Sequence, residues 1–225
     1  MTEATVPGVD LGVGLLDDND ALAAENRARL QRAGARCVNL MSSPGSGKTT
    51  LLEATVTALN GGLRLAVIEG DMTTELDADR LRARGVPVAA ITTGRSCHLE
   101  ADQVADGLDR LGSLDRFDLV VIENVGNLIC PAAYELGEHA RVVLVAVTEG
   151  EDKPLKYPIM FHGADCVVVT KLDLAPYLKL DIERLKANIQ EVNPRAVVLA
   201  LSAETGAGVA DWLDWLRKVA PQGAG

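Results

Sequence analysis

The sequence predicts a three-layer α/β fold with a mostly parallel sheet of about seven strands flanked by helices. Three observations carry that expectation. Short apolar runs rich in Val, Ile and Leu recur along the chain, and near-continuous runs of this kind suit strands buried on both faces. Most intervals between the runs read as helices, and strands that alternate with helices build parallel sheets. The first run leads straight into a Gly-rich segment ending in Lys-Thr, which opens a helix.

Residues 1 to about 17 show no clear periodicity and are expected to be mobile. From about Asp18 to Ala33 good helix formers follow an acidic start, so a polar helix is expected there. The apolar runs are Cys37–Met41, Leu63–Ile68, Val86–Ile91, Leu119–Ile122, Val142–Val147, Cys166–Val169 and Val197–Leu201. No repeat, low-complexity tract or second domain interrupts them. The division expected is an N-terminal extension and helix over 1–34 and one α/β domain over 35–220, with a frayed tail from Pro221.

Composition narrows the function classes. Aromatic residues make up only 3% of 225 residues, so the core must be aliphatic. A net charge of −10 argues against nonspecific nucleic-acid binding and gives no support for attachment to an anionic membrane. No apolar run reaches membrane-span length. The start, MTEATVPGVD, lacks a basic region followed by an apolar stretch, so a cytoplasmic location is expected.

The segment Ser42-Ser43-Pro44-Gly45-Ser46-Gly47-Lys48-Thr49 reads as a phosphate loop of the P-loop NTPases. Gly45 and Gly47 let the backbone wrap phosphate oxygens, while Ser46 and Thr50 line the turn and the helix start. Lys48 would reach the β- and γ-phosphates, and the Thr49 hydroxyl would bind Mg²⁺. The first glycine of the usual pattern is Ser42 here. Two acidic strand ends add to it: Glu69-Gly70-Asp71 and Glu123-Asn124-Val125-Gly126. Asp71 is the first candidate for Mg²⁺ and Glu123 the second. Gly126 is a candidate N–H donor to a γ-phosphate. Asp77, beyond the second strand, could orient a water, although a helix-start carboxylate is the plainer reading.

The base is read from Thr170-Lys171-Leu172-Asp173, which resembles the guanine motif of GTPases with Thr in place of Asn. One carboxylate on Asp173 can accept from both N1–H and the 2-amino group of guanine, whereas adenine offers it neither. Lys171 would lie along the base. Ser202-Ala203-Glu204, after the last strand, resembles the loop whose backbone N–H binds guanine O6. GTP and GDP with Mg²⁺ are therefore the expected ligands.

Cys97 and His98 follow the third apolar run, and Cys130 follows the fourth. In a parallel sheet both loops emerge at the nucleotide edge. Two thiolates and an imidazole suit Zn²⁺ or Ni²⁺. The same residues could equally be two small apolar side chains and a surface polar one. Adjacent Cys and His fit one compact site poorly, which makes sharing of ligands across a dimer attractive. Cys37 and Cys166 begin strands and read as core, and His139 and His162 read as structural or solvated.

Six segments occur in order: SSPGSGKTTLL, VIEGD, TGRSCH, ENVGNLICP, EGEDKPLKYP and TKLDL. Together they resemble the hydrogenase nickel-incorporation GTPases of the HypB family. The resemblance implies a dimerising P-loop GTPase of the SIMIBI class with slow hydrolysis, and a nickel or zinc site at Cys97, His98 and Cys130. It also implies a homodimer favoured by GTP, a HypA-type nickel metallochaperone as partner, and a hydrogenase large-subunit precursor as client. Related accessory GTPases serving urease or a cobalamin enzyme, or a metal-binding protein with a vestigial nucleotide site, are the alternatives. Residues 1–36 contain neither Cys nor His, so the nickel-binding N-terminal tract that some members carry is not expected.

Overall fold

The computed structural model describes residues 11–221, with side chains from Leu16 onward. The expectations for the first ten residues and for the tail beyond Pro221 lie outside the described residues. Seven strands form one sheet: β1 (Arg36–Ser42), β2 (Leu65–Asp71), β3 (Val88–Thr92), β4 (Leu119–Glu123), β5 (Ala140–Ala146), β6 (Cys166–Thr170) and β7 (Val197–Ala200). Their order is β3-β2-β4-β1-β5-β6-β7, and every neighbouring pair is parallel. Each of the seven apolar runs overlaps a strand, with ends displaced by up to three residues, and the sheet is parallel throughout.

The helices are α1 (Leu11–Arg32), α2 (Lys48–Leu59), α3 (Leu76–Arg82), α4 (Ala101–Leu111), α5 (Lys153–Lys156), α6 (Pro158–His162), α7 (Ile182–Val192) and α8 (Val209–Val219). Alternation along each strand decides which layer a residue joins. Val38, Leu40, Leu119, Val121, Val142 and Leu144 face α2, α3 and α8. Val120 and Ile122 face α1 and α4 on the other side. Val143, Val145, Val167 and Val169 face α6 and α7 on that same side. Trp212 of α8 is buried and donates its Nε1–H to Thr55 Oγ1 of α2 at 2.8 Å, which satisfies the one polar group its burial would otherwise strand. Among the described residues no helix is long and apolar enough to cross a membrane.

The first helix differs from the expectation. It starts at Leu11, not near Asp18. It also has a buried face, made of Asn19, Ala23, Asn26 and Leu30 at spacings of four, three and four. Two of those four are polar, so apolar periodicity alone could not show the face.

Candidate functional site

The central strand β1 lies between β4 and β5, and the loop leaving it is flanked by the loops that leave those two strands. Gly45 and Gly47 have φ of 74° and 94°. Only glycine enters that region without strain, and the turn directs the loop backbone around a concavity at the start of α2. Lys48 is buried, with Nζ 3.2 Å from Ser42 Oγ. The Thr49 hydroxyl donates to Glu123 Oε1 at 2.7 Å.

Strand parity explains why carboxylates gather here. Glu69 and Glu123 are register partners in β2 and β4, and both point to the α2 side. Both are buried, and each has an oxygen, Oε2, with no hydrogen-bond partner among the described residues. Burial, with the Glu123 charge adding to it, pushes Glu69 up to about 8. Burial pushes Glu123 up to about 7, against the opposing pull of Lys48 and the Thr49 hydroxyl. Two orphaned carboxylate oxygens beside a buried Thr hydroxyl form a hard-oxygen donor set that fits Mg²⁺. Asp71 is placed differently. Its Oδ1 accepts from Thr73 N at 2.8 Å and Thr74 N at 2.9 Å. Burial would raise it, but those bonds, the Thr74 hydroxyl and the Lys48 charge leave it below its ordinary value. Glu123, rather than Asp71, is thus the carboxylate in contact with Thr49. Asp77 sits in the first turn of α3, paired to Arg80 at 2.8 Å. Arg80 also reaches Thr50 Oγ1 at 3.3 Å and binds Glu53.

Next to this loop lies a cleft of about 340 Å³. Gly47, Thr50, Lys171, Asp173, Ala203 and Glu204 are among the residues that line it. Lys171 has a left-handed φ of 61° and donates to Gly45 O at 2.6 Å, which lays its stem over the phosphate loop. Ser202 is buried and donates to Asp173 Oδ1 at 2.6 Å, which fixes the carboxylate. Thr170, in the position where Asn is usual, donates to Ser46 O at 2.7 Å and so ties the Lys171–Asp173 turn to the glycine-rich loop.

The second group is Cys97, His98 and Cys130, whose ligand atoms all lie within 4.8 Å of one another. The two sulfurs are 3.1 Å apart, and Cys97 Sγ is 4.0 Å from His98 Nδ1. Adjacency in sequence therefore does not keep Cys97 and His98 from converging within one chain. The His98 ring stacks on Tyr134 with centroids 4.1 Å apart. Its Nε2 lies 3.4 Å from Glu100 Oε1 without hydrogen-bond geometry. Contact with Cys97, more than burial, holds the Cys130 thiol above its usual range, so a metal must displace a proton there.

Backbone and side-chain contacts join the two sites. Gly126 packs so closely on the phosphate loop that a Cβ would come within 2.8 Å of Pro44 Cα. One residue on, Asn127 Nδ2 donates to Cys97 O at 3.4 Å, and Asn127 Oδ1 accepts from Ile129 N at 3.0 Å. Asn124 Oδ1 accepts from Leu99 N at 3.2 Å. On the other flank Thr93 N and Gly94 N donate to Asp71 O and Met72 O at 2.9 and 3.1 Å. Sequence reasoning gave no role to Asn124, Asn127, Tyr134 or Glu69. Glu149 Oε1 accepts from Ser46 Oγ at 2.7 Å and from Ala146 N at 2.9 Å, bracing the phosphate loop from the β5 side. The available signal was the pair of Asn residues flanking Gly126.

A parallel sheet whose central strand feeds a glycine-rich loop, with a cleft beside it walled by a Lys-x-Asp turn, is the P-loop GTPase fold. Residues 36–200 match the family described as CobW/HypB/UreG, nucleotide-binding domain. The hydrogenase maturation factor HypB of Azotobacter chroococcum is 50% identical over 210 residues, which cover 93% of this chain and 68% of that protein. The hydrogenase/urease maturation factor HypB of Helicobacter pylori is 42% identical, covering 90% of this chain and 84% of its own. The crystal structure of HypB from Helicobacter pylori in complex with nickel superposes with a TM-score of 0.85 at 41% identity, over 89% of this chain and 94% of that one. This chain belongs to the HypB family of hydrogenase maturation factors.

Proposed function

We propose that the protein is a GTP-hydrolysing switch that binds nickel, or zinc, and assists nickel insertion into the large subunit of a nickel-iron hydrogenase. The observation that carries this reading is the short path from Pro44 through Gly126 and Asn127 to Cys97, with Cys130 three residues beyond Asn127. The nickel in the Helicobacter pylori structure supports the choice of cargo.

GTP would place its phosphates against the backbone of Gly45–Thr50 and Lys48, and its base against Asp173, Lys171 and the Ser202–Glu204 turn. Thr49, Glu123 and Asp71, with Glu69 behind them, would hold Mg²⁺, which when bound offsets phosphate charge. In hydrolysis a water oxygen bonds to the γ-phosphorus as the bond to the β–γ bridging oxygen breaks, giving GDP and phosphate. Asp77 is the candidate for orienting that water. Loss of the γ-phosphate frees Gly126, and the displacement passes through Asn127 to the metal ligands. The partners in this reading are a second copy of the chain when GTP is bound, a HypA-type nickel metallochaperone and the hydrogenase large-subunit precursor, all in the cytoplasm. Ile129, exposed beside Cys130, supports an interface near the metal. A second reading adds urease as a client, because the Helicobacter pylori relative is a hydrogenase/urease maturation factor.

Calorimetric titration of Ni²⁺ and Zn²⁺ tests the proposal, on wild type and Cys97→Ala, with GDP or a non-hydrolysable GTP analogue. One site per subunit or per dimer, absent in the variant and different in affinity between nucleotides, is the expected result. Equal affinity in both nucleotide states would remove the switch, and no specific metal binding would remove the nickel role.

A further inference from the structure

The two loops that carry Cys97, His98 and Cys130 are joined a second time, on the face of the sheet opposite α2, by two buried asparagines of α1. Asn19 accepts from Ala101 N at 2.9 Å and donates to Glu135 O at 2.8 Å. Asn26 donates to Ala101 O at 2.7 Å and to Leu136 O at 3.3 Å. Ala101 is three residues beyond His98, and Glu135 and Leu136 follow Tyr134, the residue stacked on the His98 ring. Each carboxamide thus bridges the Cys97–His98 loop to the Cys130 loop.

The fit around these bridges is close. Asn19 and Asn26 are 7% and 1% exposed, so each bond is made away from competing water. Gly137 seats the second loop on the helix, where a Cβ would come within 2.6 Å of Ala23 O. Arg27 adds bonds to Glu138 O at 3.1 Å and to Glu135 Oε2 at 2.8 Å. Buried amides that satisfy backbone groups from two separate loops fix the distance between those loops, because losing either bond leaves a buried polar group unpaired.

We infer that α1 is a brace for the metal site, in which Asn19 and Asn26 are positioning residues that set the separation of Cys97 and His98 from Cys130. The inference rests on the reading of those three residues as metal ligands. Groups behind the ligands commonly change metal affinity by about 10–100-fold when removed. The brace acts from the side opposite the nucleotide contacts, so it should set metal affinity and coordination geometry while leaving nucleotide affinity alone.

The test is Ni²⁺ titration of the full chain, followed by the thiolate-to-nickel charge-transfer absorption, with fluorescent GDP binding and thermal unfolding measured alongside. In the double variant Asn19→Ala/Asn26→Ala, Ni²⁺ affinity should fall at least about tenfold and the absorption band should move, with GDP affinity within about twofold of wild type. Glu25→Ala, an exposed change on the same helix, should leave all of these unchanged. Asn19→Asp keeps an acceptor for Ala101 N–H but loses the donor to Glu135 O. It carries the test if the double variant does not fold, and should still weaken Ni²⁺ binding and move the band. A folded variant with wild-type Ni²⁺ affinity and spectrum would overturn the brace while leaving the metal site intact. Wild-type Ni²⁺ binding by Cys97→Ala would overturn the metal reading, and the brace with it.

Discussion

The Thr49 hydroxyl donates to Glu123 Oε1 at 2.7 Å, joining the first turn of α2 to the last residue of β4. A Gln at 123 can still accept from Thr49, but it lacks the charge that attracts a divalent cation. Glu123→Gln is expected to fold normally, to need more Mg²⁺ for half-maximal GTP binding, and to lower phosphate release by about tenfold or more. An Mg²⁺ titration of fluorescent nucleotide binding, beside a phosphate-release assay, checks both. Unchanged Mg²⁺ dependence would show that Glu123 serves only to cap Thr49.

Stability should depend on pH in a way set by the buried carboxyls. Glu69 and Glu123 hold their protons up to about 8 and about 7 when folded, against 4.5 in the unfolded chain. Their stability contribution is complete below 4.5 and is lost as pH rises through the folded values. His139 works in the opposite sense. Burial, then Arg36 and Arg27, lower it to about 4, so its contribution is lost as pH falls below 6.5. From pH 6.5 to 8 the carboxyl effect stands alone among these groups. Without nucleotide and Mg²⁺, Tm should fall across that interval by roughly 2–8 °C, or about 1–2 kcal/mol, and Glu69→Gln should flatten the slope. A flat wild-type profile from calorimetry would contradict the placement of Glu69.

Asp173 is held by Ser202 at 2.6 Å at the edge of the cleft. Asp173→Asn replaces an acceptor of two guanine hydrogens with a group that both donates and accepts. GTP affinity should drop by about 100-fold, since hydrogen bonds to a charged acceptor contribute about 1.5–3 kcal/mol each. Xanthosine triphosphate, whose base has an oxygen in place of the amino group, should bind the variant better than GTP does. Competition between the two nucleotides measures this directly, and an unchanged preference for GTP would place the base elsewhere.

At Gly126 there is no room for a methyl group, because Pro44 Cα would lie 2.8 Å away. Gly126→Ala should push the β4 loop off the phosphate loop at a cost of about 1–3 kcal/mol. The informative readout is Ni²⁺ affinity in the GDP and GTP-analogue states. Any difference seen in wild type should shrink in the variant, and a full nucleotide response in a folded variant would route the coupling elsewhere, with the Thr93 and Gly94 contacts to Asp71 and Met72 the next candidates.

Much of the architecture was legible in the chain because a sheet buried on both faces leaves near-continuous apolar runs. Adjacency of Cys97 and His98 argued against one compact site within a chain, yet the sheet edge shared by their loop and the Cys130 loop was legible. Side chains whose partners lie far along the chain were not. Asn19 and Asn26 reach residues more than seventy positions away, and their polarity hid the buried face of α1. Glu149 meets Ser46 across 103 positions. Glu69 was visible at its strand end, yet Asp71 was preferred for its position. Pairing with Glu123 became apparent only through the register between β2 and β4.

Cys37 and Cys166 lie inside the sheet layers, closed to solvent. Cys97 and Cys130 are partly open to solvent. In the folded state the protein should therefore behave toward a thiol reagent as though it had two cysteines, not four. Those two are the proposed ligands, so the number of fast-reacting thiols becomes a direct gauge of how many sites hold metal. Samples quenched with a colorimetric disulfide would report the loaded fraction at each time point, with no label added to the chain beforehand.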